Sequence, residues 1–340
     1  MCTFLSVDEA AFTDTHWRQF HSFLVNMHAR GFGNVPPSTA QALRQRIEAR
    51  LALRDGFREW VIVKDSAVVG WLGIHVRPGS ETAPPVMFLV FDFVPGLEVA
   101  PLSARAAGLV AAAMRENRCG EVHCMAAEAH LDSLRQTWGG RILSRLHRYR
   151  LDRRTANRDL INEWLAEFPR QFPSLRIEIF TEIPERHLDS WIALFGQFLA
   201  DMPNEGTAAA PFTMTRAEVR KFEALRRRNG QYLYTGALLD GEGRMIGHSN
   251  MATHDDPPTE WHQAMTGIER AWRGRGLSKW LKAALFVRTG EDFPQSRYIW
   301  TEMRAVNEPI HLVNRAMGFE LSSEGYEWSI DRAALDRLAG

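Results

Sequence analysis

The sequence predicts an α/β protein of two related domains in tandem. Three observations carry this. The chain has 340 residues, long for one domain and ordinary for two. One order of elements, three strands, a helix, a strand and a helix, is read twice along it. In each half the third strand leads through a short connection into a helix, and in the second half that connection is "WRGRGLSKWL" (272–281).

The elements follow from patterning. A helical stretch at 38–54 leads to "EWVIVKDSAVVGWLGIHV" (59–76), two strands joined at Lys64–Ala67. "VMFLVFDFV" (86–94) reads as a strand, 103–117 as an alanine-rich helix, "EVHCMAA" (121–127) as a strand, and a helix begins near Leu131. "TANRDLINEWLAEFP" (155–169) reads as a linker helix ended by Pro169 and Pro173. The second half repeats the series with a strand at 176–183 and helices at 185–200 and 215–229. The strands "QYLYTGALLD" and "RMIGHSNMATH" are joined by a Gly241–Gly243 turn. A strand at 260–268, the helix after the glycine motif, a strand at 297–303 and a helix at 307–317 complete it. The expected boundaries are 1–154, a linker at 155–174, and 175–340.

Composition sets the class. Apolar residues make up 45% and charged residues 24%, which suits a globular chain with a sizeable core. Lysine plus arginine and aspartate plus glutamate each number 41, so the formal net charge is zero. That argues against a nucleic-acid carrier dependent on bulk positive charge. Lysine occurs only at Lys64, Lys221, Lys279 and Lys282, so the positive charge is nearly all arginine. Cys2, Cys119 and Cys124 form no CxxC pair and leave an odd count, which fits free thiols in a reducing cytoplasm. No apolar run approaches the ~18–20 residues that span a bilayer, and the N-terminus lacks an export pattern. The expectation is a cytoplasmic chain, monomeric or homodimeric, without membrane or nucleic-acid partners.

The glycine motif is built for an anion. Glycine lets backbone amides converge without a Cβ in the way, and the following helix aims unpaired N–H groups and its positive dipole end at the same spot. Arg273 and Arg275 add forked donors suited to phosphate. A dinucleotide fingerprint is excluded because Lys279 stands where its third glycine belongs, and a Walker A loop lacks its Gly-Lys-Ser/Thr. Downstream, "TEMRAVNEPIHLVNRAMGFEL" (301–321) gives a strand end, Asn307 at a helix start, and Gly318 at its stop. Taken alone, Asn307 and Gly318 read as ordinary caps.

Together the two segments resemble the GNAT acetyltransferase superfamily. Its pattern is R/Q-x-x-G-x-G/A after a central strand, then N-x-x-A-x-x-x-Y-x-x-x-G-F one strand later. Arg273 and Gly276 match the first, with Ser278 in place of its final Gly/Ala; Asn307, Gly318 and Phe319 match the second, with Asn314 at the tyrosine position. The resemblance covers the C-terminal half, and the tandem layout is similar to that of members of the mycothiol synthase type. It implies two GNAT-like domains, each a mixed, mostly antiparallel sheet flanked by helices. It also implies acetyl-CoA as co-substrate, with no metal, and a small-molecule amine as acceptor. The amides of Gly274, Arg275, Gly276, Leu277 and Ser278, with Arg273, would cradle the pyrophosphate. The backbone of Thr266, Gly267 and Ile268 would pair with the pantetheine arm, and Asn307 would hold its amide. Asn314 would lie by the thioester, but an amide cannot act as an acid there. A water or another group such as Tyr326 would then protonate the leaving thiolate.

Transfer to an amine needs a proton acceptor. Strict alternation along 260–268 puts Glu260, His262, Ala264 and Thr266 on one face. His262, with an ordinary pKa near ~6.5, is the first candidate base and Glu260 the reserve. Asp201, Glu205, Asp255, Asp256 and Glu260 would make the acceptor side attractive to a cationic amine. The first half carries Glu98 and Pro101 at the place of the cradle and reads as a degenerate domain. "GHSNM" (247–251) lacks the closing glycine of a nucleophile elbow, and the ligands of "CGEVHC" (119–124) alternate faces of a strand, unsuited to zinc. The alternatives are an enzyme that uses or decarboxylates another acyl-CoA, and a non-catalytic acyl-CoA-binding module.

Overall fold

The structure, a computed structural model, describes residues 2–29, 37, 39–53, 56–77, 85–98, 100–128, 132–201, 214–228, 230–253 and 258–339. They form two compact units, Met1–Leu146 with Ser323–Gly340, and His147–Ser322. The first unit opens with β1 (Thr3–Ser6), α1 (Asp14–Ala29) and α2 (Ala40–Leu53). α1 is helical because Trp17, Phe20, Phe23 and Met27 recur at three- and four-residue steps, and these are its buried face. β2 (Arg58–Lys64) and β3 (Ala67–Arg77) form a hairpin. Its turn holds Asp65 and Ser66 in left-handed backbone, φ 49° and 64°, which matches the twist of the strands. β4 (Val86–Phe93), α3 (Ala100–Glu116), β5 (Glu121–Glu128) and α4 (Asp132–Trp138) follow. β6 (Arg141–Asp152) begins in this unit and ends in the second.

The second unit continues with α5 (Arg158–Gln171), β7 (Arg176–Phe180), α6 (Leu188–Asp201), α7 (Arg216–Arg228), β8 (Leu233–Leu239) and β9 (Met245–Ala252). Then come β10 (Glu260–Ile268), α8 (Leu277–Asp292), β11 (Tyr298–Arg304) and α9 (Glu308–Met317). Its strand order is β6-β11-β10-β9-β8-β7, antiparallel from β7 through β10 and parallel between β10 and β11. The parallel pair is joined by α8, as a crossover must be. One face of this sheet is covered by α5, α8 and α9, whose Trp164, Phe286 and Met317 share a core with Leu151, Trp261 and Ile299. The other face carries α6 and α7, whose Trp191, Phe198 and Val219 pack with Ala237 and Met245.

The last elements, β12 (Glu320–Asp331) and α10 (Arg332–Ala339), differ from the expected division. β12 pairs antiparallel with β5, and Trp328, Ile330 and Leu335 are buried in the core of the first unit. That unit therefore has strand order β1-β2-β3-β4-β5-β12 followed by the first part of β6, with a strand from the far end of the chain inserted beside β5. The reason is hydrophobic: alternate apolar residues of β12 need a sheet face, and β5 offers an open edge. The expected linker differs too. α5 runs through Pro169 to Gln171, and Ile161, Trp164 and Phe168 make it part of the second core. Proline removes one N–H near the end of the helix, and the ladder resumes with Phe172 N–H donating to Phe168 O at 2.9 Å.

The exchange makes a prediction. Trp328→Ala should cost on the order of 3–5 kcal/mol as a buried large-to-small change. Hydrogen exchange should then show protection lost in β5 while α8 keeps its own. Loss in α8 with β5 unaffected would refute the assignment of β12 to the first unit.

Candidate active site

The chemistry gathers where β10 changes partners. Its parallel register with β11 runs Glu260↔Tyr298, Trp261↔Ile299 and His262↔Trp300 and then ends. One further contact, Thr301 Oγ1 donating to Gln263 O at 3.0 Å, holds the strands before they part. Beyond it, 264–268 has no strand partner on that side among the described residues.

A β-bulge sits at the same point. Gln263 lies opposite Met251 and Thr266 opposite Ser249, so three steps on β10 match two on β9. Ser249 clamps both sides of it: Gln263 Nε2 donates to its Oγ at 2.8 Å, and its hydroxyl shares a hydrogen bond with the Thr266 hydroxyl at 2.7 Å. The extra residue reverses the alternation. Trp261 and Ile268 both point to the α8 layer, while Gly267 points at α6, where an added Cβ would lie 2.3 Å from the Phe198 ring. The expected shared face of His262 and Thr266 is therefore overturned: Gln263 and Thr266 share one face, and Glu260 and His262 occupy the other.

At the end of β10 a 3₁₀ turn, Arg270–Trp272, leads into the glycines. Gly274 and Gly276 have φ of 77° and 76°, backbone that favours glycine. α8 begins after Gly276 with no side-chain cap, so N–H groups of its first turn have no helical acceptor. The two arginines behave differently. Arg273 is bound internally: its Nε donates to Ile268 O at 2.9 Å and its Nη2 to Asp201, which also binds Arg270. Those two guanidiniums hold the Asp201 carboxyl down to about 2. Asp201 is thus neutralised rather than free to attract an amine, and Arg273 is a brace. Arg275 stays exposed, its guanidinium 4.9 Å over the Trp272 ring. Exposed amides, a helix N-terminus and one uncommitted guanidinium fit an anionic group.

Asn307 occupies the N-cap of α9 but makes no capping hydrogen bond, so its amide is uncommitted to the helix. Gly318 ends the helix in left-handed backbone, φ 99°. Asn314 is fully buried; its Nδ2 lies 3.7 Å from Met303 Sδ, and its Oδ1 has no hydrogen-bond partner. Tyr326, the reserve acid, lies on β12 opposite Ala127 and packs on the core of the first unit.

The face opposite the α8 layer is polar. Trp300 Nε1 donates to Glu260. Arg148 Nη2 donates to Glu302 at 3.1 Å. His262 lies beside this pair, and its imidazole pKa is lowered below 6.5 by burial first and by Arg148, against a raising influence from Glu302. Glu205, Asp255 and Asp256 lie outside the described residues.

One group escaped sequence reasoning. His248, beside Gly267 in the register, is fully buried between Trp191 (5.6 Å) and Phe198 (5.0 Å). Neither ring nitrogen has a hydrogen-bond partner, nor do Asn250 Oδ1 and Trp191 Nε1. Burial pushes its imidazole down to about 4, with Asn250 only partly opposing. A histidine inside an apolar strand run carries no signal that distinguishes it from an edge residue.

No family model matches the sequence, and no curated protein does. Solved structures match its fold over nearly the whole chain. One is a tandem GNAT protein from the clavulanic acid biosynthesis pathway, 18% identical, covering 98% of this chain and 99% of its own, with a TM-score of 0.69. A GCN5-related N-acetyltransferase from Sphaerobacter thermophilus is 12% identical and covers 98% of this chain and 95% of its own, TM-score 0.60. A GCN5-related glucosamine N-acetyltransferase region of a fungal multi-domain β-N-acetylglucosaminidase is 11% identical, covering 97% of this chain and 38% of that one, TM-score 0.61.

His248 gives an acid-stability prediction. Its folded pKa lies below the unfolded ~6.5, so the unfolded state binds the proton first and stability is lost as pH falls through 6.5 toward 4. At about 1.36 kcal/mol per unit, the loss from this group reaches roughly 2 kcal/mol at pH 5. His248→Phe keeps an aromatic ring between Trp191 and Phe198 and removes the titration. Denaturant midpoints at pH 7.5 and 5 should diverge less for the variant than for the wild type. Equal divergence would show that His248 is not the buried neutral group described.

Proposed function

The chain has the tandem GNAT fold, and we propose that it is an acyltransferase moving an acetyl group from acetyl-CoA to the amine of a small molecule by direct transfer. The observation that carries this reading is the glycine cradle at the N-terminus of α8, at the end of a strand that has parted from its neighbour. Acetyl-CoA supplies an activated thioester. The chain supplies binding, orientation and a proton acceptor. The amides of 274–278 and the Arg275 guanidinium receive the pyrophosphate. The edge of Thr266, Gly267 and Ile268 that has parted from β11, where Ile268 O is already held by Arg273, accepts the pantetheine arm as an added strand. Asn307 meets an amide of that arm, and the orphaned Oδ1 of buried Asn314 offers an acceptor further in.

The acetyl group then lies by the bulge, where a backbone N–H polarises its carbonyl. His262, on the opposite face, takes the proton of the attacking amine, directly or through water. Burial and Arg148 keep its imidazole neutral at pH 7, which a base requires. Glu302 fixes the local charge, and Glu260, already accepting from Trp300, is the reserve. The first unit serves as structure without a cradle of its own, and the protein works in the cytoplasm with one CoA bound per chain. Mass spectrometry of the protein with acetyl-CoA and an amine panel tests the reading: acylated amine and free CoA are expected, whereas binding without product would leave a non-catalytic module.

Ser278→Glu tests the cradle more cleanly than a change at Gly276. A Cβ at Gly276 would meet Phe168 at 3.1 Å and strain a φ of 76°, mixing folding with binding. A glutamate in the first turn favours the helix dipole by about 0.3–1 kcal/mol, so the fold is retained while the anion is repelled. Calorimetry should show one site per chain in the wild type and at least tenfold weaker CoA binding in the variant, about 1.4 kcal/mol. Unchanged affinity would remove CoA from this loop.

His262→Ala should lower turnover by roughly 10²–10⁴-fold with CoA affinity nearly intact. Below its folded pKa the imidazole is protonated and cannot accept, so the wild-type kcat should rise with pH through an ionisation below 6.5. A full-rate His262→Ala enzyme with an inactive Glu260→Gln enzyme would move the role to Glu260.

A further inference from the structure

Three guanidiniums gather at the rings of Tyr298 and Trp300 and at Glu302. Arg148 is neutralised by Glu302, and Arg297 by Asp152 at 2.9 Å. Arg150 is not neutralised: among the described residues it has no carboxylate partner. It is nonetheless held in place, with its guanidinium 4.8 Å over Tyr298 and 5.3 Å over Trp300. Contact with two rings holds the guanidinium in place, and its N–H donors have no hydrogen-bond acceptor among the described residues, so the fork is available to a planar oxyanion by two parallel bonds.

The position of that fork is set by the strands. Tyr149 and Leu151 of β6 are buried in the α8-side core, so Arg148 and Arg150 project from the opposite face, the face of His262 and Glu260. Trp300 connects them: its ring lies under Arg150, its Nε1 donates to Glu260, and its backbone is the register partner of His262. From β6 across β11 to β10 is two strand spacings, about 10 Å. Two hydrogen bonds of about 3 Å each take up part of that span. The guanidinium leans over Tyr298 and Trp300 of the strand between, so it stands within that span of His262, a reach on the scale of a short amino acid held at both ends.

We propose that the acceptor of this acyltransferase is an amine that also carries a carboxylate, and that Arg150 is the specificity-determining residue that receives the carboxylate. The inference rests on the acyltransferase reading above and narrows its acceptor. A carboxylate at Arg150 pairs the uncommitted cation of this face. The same contact anchors the far end of the acceptor, so that its nitrogen is presented to the base rather than left to rotate.

The experiment compares matched acceptors: the standard amino acids and β-alanine against their carboxamides, with acetyl-CoA, reading thiol release and the acylated product. The wild type should acylate its best carboxylate acceptor with kcat/KM at least tenfold above that of the matching carboxamide. Arg150→Gln should erase the preference by raising KM and lowering kcat for the carboxylate while leaving the carboxamide rates and CoA affinity in place. Arg150→Lys, which keeps the charge and loses the fork, should restore part of it. Carboxylates and carboxamides used equally, acylation confined to uncharged amines, or equal loss on both series in Arg150→Gln would overturn the assignment. If no amine at all is acylated, the acyltransferase reading fails instead. The Arg150 assignment is then decided by calorimetry with the same compounds: binding of amino acids that Arg150→Gln abolishes supports it, and equal binding of carboxamides overturns it.

Discussion

The second unit depends on one extra residue in β10. Between Gln263 and Thr266 the strand takes three steps against two on β9, and Ser249 binds both sides of the irregularity. Without the bulge, strict alternation would carry the face of His262 through to Thr266 and turn Gly267 toward α8. With it, Ile268 is buried in the α8 layer, where α8 is anchored, and Gly267 turns toward α6. The missing side chain at Gly267 lets Phe198 approach the backbone. The same irregularity coincides with the parting of β10 from β11, because a strand whose alternation has slipped cannot keep regular registers on both edges. Open backbone, the seating of α8 and the facing of His262 thus share one local cause.

Charge is distributed to match. Asp201 binds Arg270 and Arg273 together, and Arg273 also ties the loop to Ile268 O. The loop that precedes α8 is thereby braced by ionic contacts that do not involve the amides of its glycines. On the opposite face the Arg148–Glu302 pair supplies His262 with opposing influences, and burial decides the balance in favour of neutral imidazole. His248, buried without a hydrogen bond, obeys the same rule more strongly: a ring that cannot be hydrated gives up its proton.

Much of this was legible in the sequence because its signals are local. The glycines of 274–276, the hairpin at Lys64–Ala67 and the stop at Gly318 each follow from what a few neighbouring residues permit, and each is found. What was not legible depends on contacts distant along the chain. Alternation from Glu260 to Thr266 looks unbroken until Ser249 is placed beside it. Arg273 looks like a phosphate ligand until Asp201, more than seventy residues earlier, is brought against it. The pairing of β12 with β5 joins strands about two hundred residues apart and has no local mark, since an apolar alternating strand fits any open edge. α1 was a different omission: Trp17, Phe20, Phe23 and Met27 do carry helical spacing.

The first unit shows which part of the arrangement is fold and which is site. Its β4 and β5 also pair in parallel over three positions, Met87↔Val122, Phe88↔His123 and Leu89↔Cys124, with α3 as the crossover. The backbone plan is therefore repeated. The connection after β4 also starts alike, with Val94 N–H donating to Val69 O and Leu97 N–H to Val94 O just as Glu269 N–H donates to Ile246 O and Trp272 N–H to Glu269 O, and it differs after that turn, where the first unit carries Glu98 and Pro101. In the second unit the corresponding stretch places glycine at 274 and 276 with left-handed backbone and leaves the first turn of α8 uncapped. A strand that parts from its neighbour belongs to the shared architecture and demands only a crossover helix. An anion site demands in addition that a few amides remain unbonded, and that condition is decided by the residues of one short loop.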